Sequence, residues 1–572
     1  LVSRAEQVAC EDVLLFVNAA TASTGQREFA STAAEHTLSL EFLHAYVLGN
    51  YRDLYAATLA LGINDHNAAL VVLNLLRTPS DPTRRAAEMP HPVTVEDHDT
   101  EGTLIAARLA QMPPQRVYRL FSRLRRAGVN NRRTRAVVRD WVTARPDLAF
   151  DAVKYRRGLA DAARHAHLRL PAEISTVLFD WRRPARYATP LLETWRRAHY
   201  DRSALAELPY TVAEGFAARR GVSREKLLAT ARLTAAERLR LQGAAAKAKT
   251  DVAVDLTRVP LTRLATYVLS LDRHERAHRR AELTAALRAS ARRAAGPHQG
   301  TWGRVVTVCD DSYSSYGSGV KRRRPLAVAL AVHYLVEALA AEHHGLWLTH
   351  RGDPLLVHPV GTTPLASRLL DALALVAPNV PCRHMPSDTS CPPPPPSVWC
   401  DGCHRIQPRD RVVVVSDAWD NDPPGGAGEV LRVWRQRLDP TGRTEVVHLN
   451  PVYDPRTYQV RPLAPGVPSV GIRNGEDAAT LVEIARFATG TARFDDLVGY
   501  LRHQAGGVAS LEPDEIAELV RATAGDPNAL ERVRSGQMIA PVPLHRRESA
   551  RSGHGQTNVP GDDRPAGPGG TS

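Results

Sequence analysis

RVVTVCDDSYSSYGSGV, residues Arg304–Val320, decides how this chain is read. Val305, Val306, Val308 and Cys309 form an apolar run without polar alternation, which predicts a strand buried on both faces. The run passes directly into Asp310-Asp311-Ser312-Tyr313-Ser314, and then into a loop carrying Gly317 and Gly319. On a tight loop after a strand, Asp310, Ser312 and Ser314 can turn one carboxylate and two hydroxyls toward a single point. Hard oxygen donors of that kind suit Mg²⁺. Two later positions extend the pattern in order: Thr363 in GTTPL, and Asp417 at the end of a second apolar run, RVVVVSDAWDND.

Asp-x-Ser-x-Ser followed by Thr and then Asp, each where a strand or loop ends, resembles the metal-ion-dependent adhesion site of von Willebrand factor A domains. The resemblance implies a doubly wound, Rossmann-like sheet with its ligand at the carboxyl ends of the strands. It implies Asp310, Ser312, Ser314, Thr363 and Asp417 as the metal set, with one coordination position left for a carboxylate of a partner protein. The flanking sequence supplies the remaining elements. Pro325–Ala341 reads as a buried helix, Leu346–His350 and Leu355–Val360 as strands, and Thr363–Val376 as a helix. Val430–Leu438 reads as a helix, Glu445–Leu449 and Ser469–Ile472 as strands, and Glu476–Ala488 as the closing helix. Two positions depart from the common pattern: Asp311 stands where an apolar residue is usual, and Tyr313 where a small one is. An ordinary α/β domain with a polar loop is the competing reading.

A length of 572 residues is enough for two to four domains, and 43% hydrophobic with 24% charged residues is an ordinary globular composition. Glu6, Glu11 and Asp12 argue against a secretory signal at the start of the sequence. His333 and Glu337 argue against a membrane span in the most apolar stretch. Six cysteines in so long a chain make no disulfide framework. The expectation is a cytoplasmic protein with no membrane partner. The net charge of +13 is segregated: residues 101–300 hold 40 Lys and Arg against 18 Asp and Glu, a net of +22, which leaves −9 for the rest. A preference for Arg over Lys is compositional, but the segregation of acids is not, and it points to a polyanionic partner.

Residues 1–300 read as almost entirely helical. Leu38–Leu61, Asn67–Leu76, Thr103–Met112, Gln115–Arg126, Thr134–Thr143, Leu148–Arg157 and Ala160–Leu168 carry helical spacing, separated by short Pro, Gly or Asn breaks. Glu225–Lys249 and Leu261–Ala294 continue the pattern to Gly296-Pro297. Short connections between such helices suggest stacked pairs, an α-solenoid of HEAT-like repeats. The densest basic stretch begins at Arg116 and runs through FDAVKYRRGLADAARHAHLRLP, residues 150–171. Guanidinium groups match phosphate oxygens, while Tyr155 and His167 can stack on unpaired bases. Solvated basic helix faces are the bland alternative.

A basic helix, a Lys-Tyr-basic step, and a helix ending His-Leu-basic before Pro, all upstream of an adhesion-type domain, resembles the TROVE module of the Ro autoantigen family. The resemblance covers about Arg132–Pro171 and the domain order. It implies a ring of helical repeats that binds small noncoding or misfolded RNA with single-stranded ends, and it implies Lys154, Arg156 and His167 as RNA contacts, to which the basic stretch itself adds Arg132 and Arg133. The break after Arg157 is short and lacks an aromatic residue, which departs from the family pattern.

An insertion between residues 380 and 410 gathers Cys382, Cys391, Cys400 and Cys403. Cys400-Asp401-Gly402-Cys403 has the spacing of a zinc knuckle. A loop held by Zn²⁺ is one reading, with His384 or His404 able to replace a cysteine; a redox-active or surface pair is the other. The division expected is a helical-repeat module over 1–300, an α/β domain over 301–490, a short helical extension over 491–540, and a disordered Gly/Pro/Ser-rich tail over 541–572. The function expected is an RNA-binding scaffold that tethers RNA to a partner protein through the metal site, and not an enzyme. The alternative is a protein–protein scaffold that uses both parts without RNA. A third reading, a metallohydrolase at Asp310-x-Ser312, lacks second-metal ligands and a base.

Overall fold

The computed structural model describes residues 3–23, 33–78, 96–180, 186–223, 226–227, 255–317, 322–376, 398–400, 405–407, 410–440, 442–452, 460–489 and 493–521. Within these the chain is mostly helical, with one parallel sheet. The helices before the sheet are α1 (Arg4–Ala22), α2 (Ala33–Asn50), α3 (Arg52–Ala57), α4 (Asp65–Arg77), α5 (Glu96–Gln111) and α6 (Pro114–Arg126). They continue with α7 (Arg132–Thr143), α8 (Leu148–Lys154), α9 (Arg156–Ala166), α10 (Ala172–Phe179), α11 (Pro190–Arg197) and α12 (Tyr210–Arg220). Three more, α13 (Leu261–Ser270), α14 (Arg273–His278) and α15 (Arg280–Ala295), lead into the sheet.

Strand β1 (Arg304–Cys309) lies between β2 (Glu342–Trp347) and β5 (Arg411–Val415). Beyond β5 come β6 (Glu445–Asn450) and β7 (Ser469–Gly471), so the order is β2-β1-β5-β6-β7, all parallel. The short antiparallel pair β3 (Val398–Cys400) and β4 (Arg405–Gln407) stands apart from it. The crossovers are α16 (Arg324–Leu339), α17 (Leu365–Leu375) and α18 (Gly426–Arg437). Behind β7 come α19 (Ala478–Ala485), α20 (Phe494–Ala509) and α21 (Pro513–Arg521).

Strands β1 and β5 are buried on both faces because both faces are covered, whereas the edge strand β2 (EHHGLW) is polar and part-exposed. Val306, Val308, Val412, Val414 and Val446 join a core with Leu365, Leu369 and Leu373 of α17 and Leu431 and Trp434 of α18. Val305, Cys309, Val413, Val415, Val447 and Leu449 face the other way, into a core that includes α16. Helix α16 is buried almost all round because it lies between the sheet and α13 and α15. The approach of the loop at Gly475 to this helix leaves no room for a side chain: a Cβ there would lie 2.4 Å from that of Ala331.

The second core does not stop near residue 300. It runs without a break from the sheet through α1, which packs on β7 and α19, into the N-terminal helices. Helices α20 and α21 return the chain to α5. The expected strand over Leu355–Val360 is absent. A 3₁₀ turn, Pro354–Leu356, opens the segment, and Arg276 from α14 takes the carbonyls of Leu355 (2.7 Å) and Val357 (3.0 Å) that a neighbouring strand would need. Helix α1 falls in the part expected to be helical but outside the ranges singled out, although Ser3 and Glu6 form a reciprocal capping box at its start. Among the described residues, no helix is long and apolar enough to cross a membrane.

Candidate functional site: a hydroxyl and carboxylate cluster and a basic cleft

The chain leaves β1 toward α16 on one face of the sheet and leaves β5 toward α18 on the other, so the loops after these adjacent strands diverge. That switch point is where open parallel sheets form a ligand crevice. Asp310 stands at its floor, its backbone N–H bonded to the carbonyl of Val415 at 2.9 Å. Its carboxylate accepts from the Ser312 N–H (2.8 Å) and from the Ser416 hydroxyl (3.2 Å). The Ser312 hydroxyl lies 3.0 Å from that of Ser314 and 3.1 Å from that of Thr363. Thr363 is set from the opposite wall, where the Asn421 side chain accepts its N–H at 2.9 Å. Asp417 folds back on its own turn, accepting the Trp419 N–H at 3.0 Å, next to Ala418 in the left-handed region at φ 61°.

The five residues expected to form a metal set therefore meet in one crevice. Burial, and then the charge of Asp417, push the Asp310 carboxyl up to about 6. The Asp310 carboxylate, near enough to feel the charge of Asp417, and the three linked hydroxyls of Ser312, Ser314 and Thr363 are hard oxygen donors of the kind that could hold a divalent cation. Asp311 is not part of the set: it accepts the Thr349 N–H at 3.0 Å and the Thr349 hydroxyl, and so braces the loop after β2. Tyr313, Tyr316 and Trp419 stand exposed on loops around the crevice.

The second site is a cleft of about 760 Å³ walled by α6, the α8–α9 junction, α11 and α12. Its cations are Arg119, Arg126, Lys154, Arg156 and Arg157, and its apolar walls are Tyr118, Tyr155, Trp195 and Phe216, with His199 beside them. It continues along Arg126, Arg156 and Arg157 into a second hollow of about 530 Å³ that adds Arg164. Arg156 stacks on Trp195 at 5.5 Å and donates to the Val177 carbonyl at 3.0 Å. Lys154 lies over Phe150 (5.2 Å) and Tyr155 (5.8 Å). Among the described residues no carboxylate pairs with Arg119, Arg126, Lys154, Arg157 or Arg164; the nearby Asp161 is held by Arg125 and Ser122.

The floor of the cleft is fixed by a buried network. Asp151, fully buried, accepts Arg145 Nε at 2.7 Å and Nη2 at 3.1 Å, and the Tyr118 hydroxyl at 2.8 Å. Helices α6 and α9 approach so closely that a Cβ at Gly158 would lie 2.5 Å from that of Tyr118.

Of the expected RNA contacts, Lys154 and Arg156 line this cleft, whereas Arg132, Arg133 and His167 do not. Arg133 bonds at 2.6 Å to the buried Glu101, which Arg52 also holds at 3.1 Å. Arg132 is exposed at the start of α7, and His167 is exposed beyond the end of α9 at φ 52°. Sequence reasoning missed Trp195, His199 and Phe216. Trp195 and His199, four residues apart across the end of α11, are the signal that could have found them, but such a pair also reads as core. Cys382, Cys391 and Cys403 lie outside the described residues; Cys400 closes β3, and its side chain is likewise outside them.

No protein-family model matches the chain, and no curated protein matches it. Among solved structures, the chain is similar to the RO (RSR) protein of Deinococcus radiodurans, with 15% sequence identity and a TM-score of 0.42, over 84% of this chain and 100% of that one.

Proposed function

We propose that this chain is an RNA-binding scaffold of the TROVE and von Willebrand A type. It holds small noncoding or misfolded RNA in the helical cleft and a partner protein at the sheet crevice. The observation that carries the reading is the cleft itself, where Lys154, Arg156 and Arg157 stand against Tyr155, Trp195 and Phe216. Cations for phosphates beside aromatic faces for splayed bases are the means by which single-stranded nucleic acid is held without a base-pair code. At the crevice, Asp310, Ser312, Ser314, Thr363 and Asp417 would hold Mg²⁺, which supplies a Lewis-acid position for a carboxylate of the partner. We read binding, not catalysis, into both sites. The test is co-purification: the protein should carry RNA, seen as a high 260/280 absorbance ratio that salt removes, and Arg119→Glu with Arg157→Glu should lose it.

Tyr313, Tyr316 and Trp419 around the crevice, 74%, 38% and 59% exposed, favour protein docking there. If the purified chain carries no RNA and binds none at moderate salt, a protein–protein scaffold built on this surface replaces the first reading.

A further inference from the structure

Where α13 and α14 meet the α/β part, three arginines converge on a partly open pocket of about 240 Å³. Its walls include Arg273, Arg276, Arg323 and His358. Arg276 is 3% exposed. Its Nη1 is satisfied by the carbonyls of Leu355 and Val357, but its buried Nε has no hydrogen-bond partner among the described residues. Arg323 donates to the Leu269 carbonyl. Among the described residues none of the three arginines has a carboxylate partner. The two acids nearby are engaged elsewhere. Asp272 caps α14 through the Glu275 N–H at 2.8 Å, and Asp353 accepts the Leu355 N–H at 3.0 Å and pairs with Arg280 at 3.2 Å.

A buried guanidinium without a directly paired carboxylate is costly, and like charges gathered around it add to the cost. Burial, then Arg323 and Arg273, hold the Arg276 guanidinium below its ordinary range, while Asp272, which also lines the pocket, and Asp353 act against them; burial, Arg351, Arg273 and Arg276 likewise hold His358 down. The arrangement makes sense when an anion completes it. We propose that this junction pocket binds a phosphate-type oxyanion, with Arg276 Nε and the guanidinium groups of Arg273 and Arg323 as donors. At roughly 30 Å³ per water, the space suits one such anion with a few waters, and it is smaller than the roughly 300 Å³ at which sites for larger organic ligands begin. The anion is either free phosphate or the terminal phosphate of a nucleic acid. The site is separate from the RNA cleft and does not depend on the RNA reading.

The test is thermal unfolding of the full chain with phosphate against chloride at matched ionic strength and pH. Inorganic phosphate should raise the midpoint with a saturable dependence, and Arg273→Glu, a change at the exposed mouth, should abolish the response. Arg323→Gln should weaken phosphate about tenfold, the scale of one lost charge-assisted hydrogen bond. A short 5′-phosphorylated oligonucleotide that protects in an Arg273-dependent way where inorganic phosphate does not would identify the nucleic-acid end as the source. Arg119→Glu with Arg157→Glu should leave the phosphate response intact while lowering RNA affinity, which separates failure of one site from failure of the other. Equal midpoints with phosphate and chloride, with no protection by the phosphorylated oligonucleotide, would overturn the proposal. So would an unchanged response in Arg273→Glu.

Discussion

Replacing Arg119 and Arg157 together by alanine is the sharpest probe of the helical cleft. Both side chains line it, and neither has a carboxylate partner among the described residues, so their loss leaves no buried acid unpaired. Five cations of the continuous groove are available in this sense: Arg119, Arg126, Lys154, Arg157 and Arg164. If each neutralises one phosphate of a single strand, the logarithm of affinity falls by about 3.5 per log unit of salt, at roughly 0.7 per contact. From 50 to 200 mM salt that is a loss of about 100-fold for the wild type and about 20-fold for the double variant, whose slope falls to about 2.1. The assay is fluorescence anisotropy of a labelled single-stranded RNA titrated at four salt concentrations, with Arg437→Ala and Arg443→Ala together, both exposed and away from the cleft, as a charge-matched control. Parallel slopes for wild type and double variant would refute the argument, whatever the change in absolute affinity, because the counterions would then be released elsewhere.

At the sheet crevice, Mg²⁺ should raise the unfolding midpoint of the wild type and not that of Asp417→Asn or Thr363→Ala, while RNA affinity stays within about twofold; an unchanged Mg²⁺ response in Asp417→Asn would remove the metal site. Asp151→Ala strands Arg145 in the floor of the cleft and should cost about 3–5 kcal/mol in urea unfolding. Gly158→Ala forces α9 away from Tyr118 and should cost about 1–3 kcal/mol, with RNA affinity falling at the same time. His44 is buried with its ring pushed down to about 4 by burial, against an unfolded value near 6.5. Asn67 turns its amide nitrogen to backbone carbonyls, so its oxygen receives the His44 Nε2–H at 3.2 Å, and Nδ1 receives the Tyr55 hydroxyl at 2.7 Å. A depressed folded value means that the contribution is whole above pH 6.5 and is lost as pH falls toward 4, at about 1.4 kcal/mol per pH unit. Denaturant midpoints at pH 7.5 and 5 should therefore converge in His44→Gln relative to wild type.

What the sequence made legible follows from how local each cause is. The valine runs of β1 and β5 can be read without the fold because strands buried on both faces need no alternation, and the polar loops that follow them lie where the chain must turn. That Asp310, Ser312, Ser314, Thr363 and Asp417 would fall on the loops beside the strand ends was legible for the same reason: each follows an apolar run or precedes a helix by a few residues. Leu355–Val360 misled because its apolar pattern is that of a strand, while the hydrogen bonds that decide its conformation come from Arg276, some eighty residues earlier. The break at Tyr155, which separates α8 from α9 and turns Lys154 and Arg156 into one cleft, involves neither proline nor glycine; the residue adopts φ −116° and ψ 27° under tertiary packing. Trp195 and Phe216 belong to helices whose buried faces are apolar in any case, and His199 lies in the turn after α11, so their part in a cleft appears only when α11 and α12 are set against α8.

One physical feature links the sites. The core that lies under the cleft helices runs without interruption to α16 and the inner face of the sheet, so the cleft and the switch-point crevice are carried on one packed body. Packed cores shift between discrete arrangements rather than deforming smoothly. The segment from Val357 to Thr363 carries this furthest. Val357 and His358 wall the arginine pocket, the Val360 N–H bonds the Asp311 carbonyl at 3.0 Å, and the Gly361 carbonyl accepts the Tyr313 N–H at 3.1 Å. Thr363 then supplies its hydroxyl to Ser312. An anion that favours one arrangement of this segment over another would bias its other end, and linkage makes any such effect reciprocal. Phosphate should therefore shift the Mg²⁺ affinity of the wild type by the same factor as Mg²⁺ shifts the affinity for phosphate. Arg273→Glu should remove both shifts together while leaving Mg²⁺ binding itself in place, and a shift in only one direction would show that the two pockets do not share this segment as their coupling element.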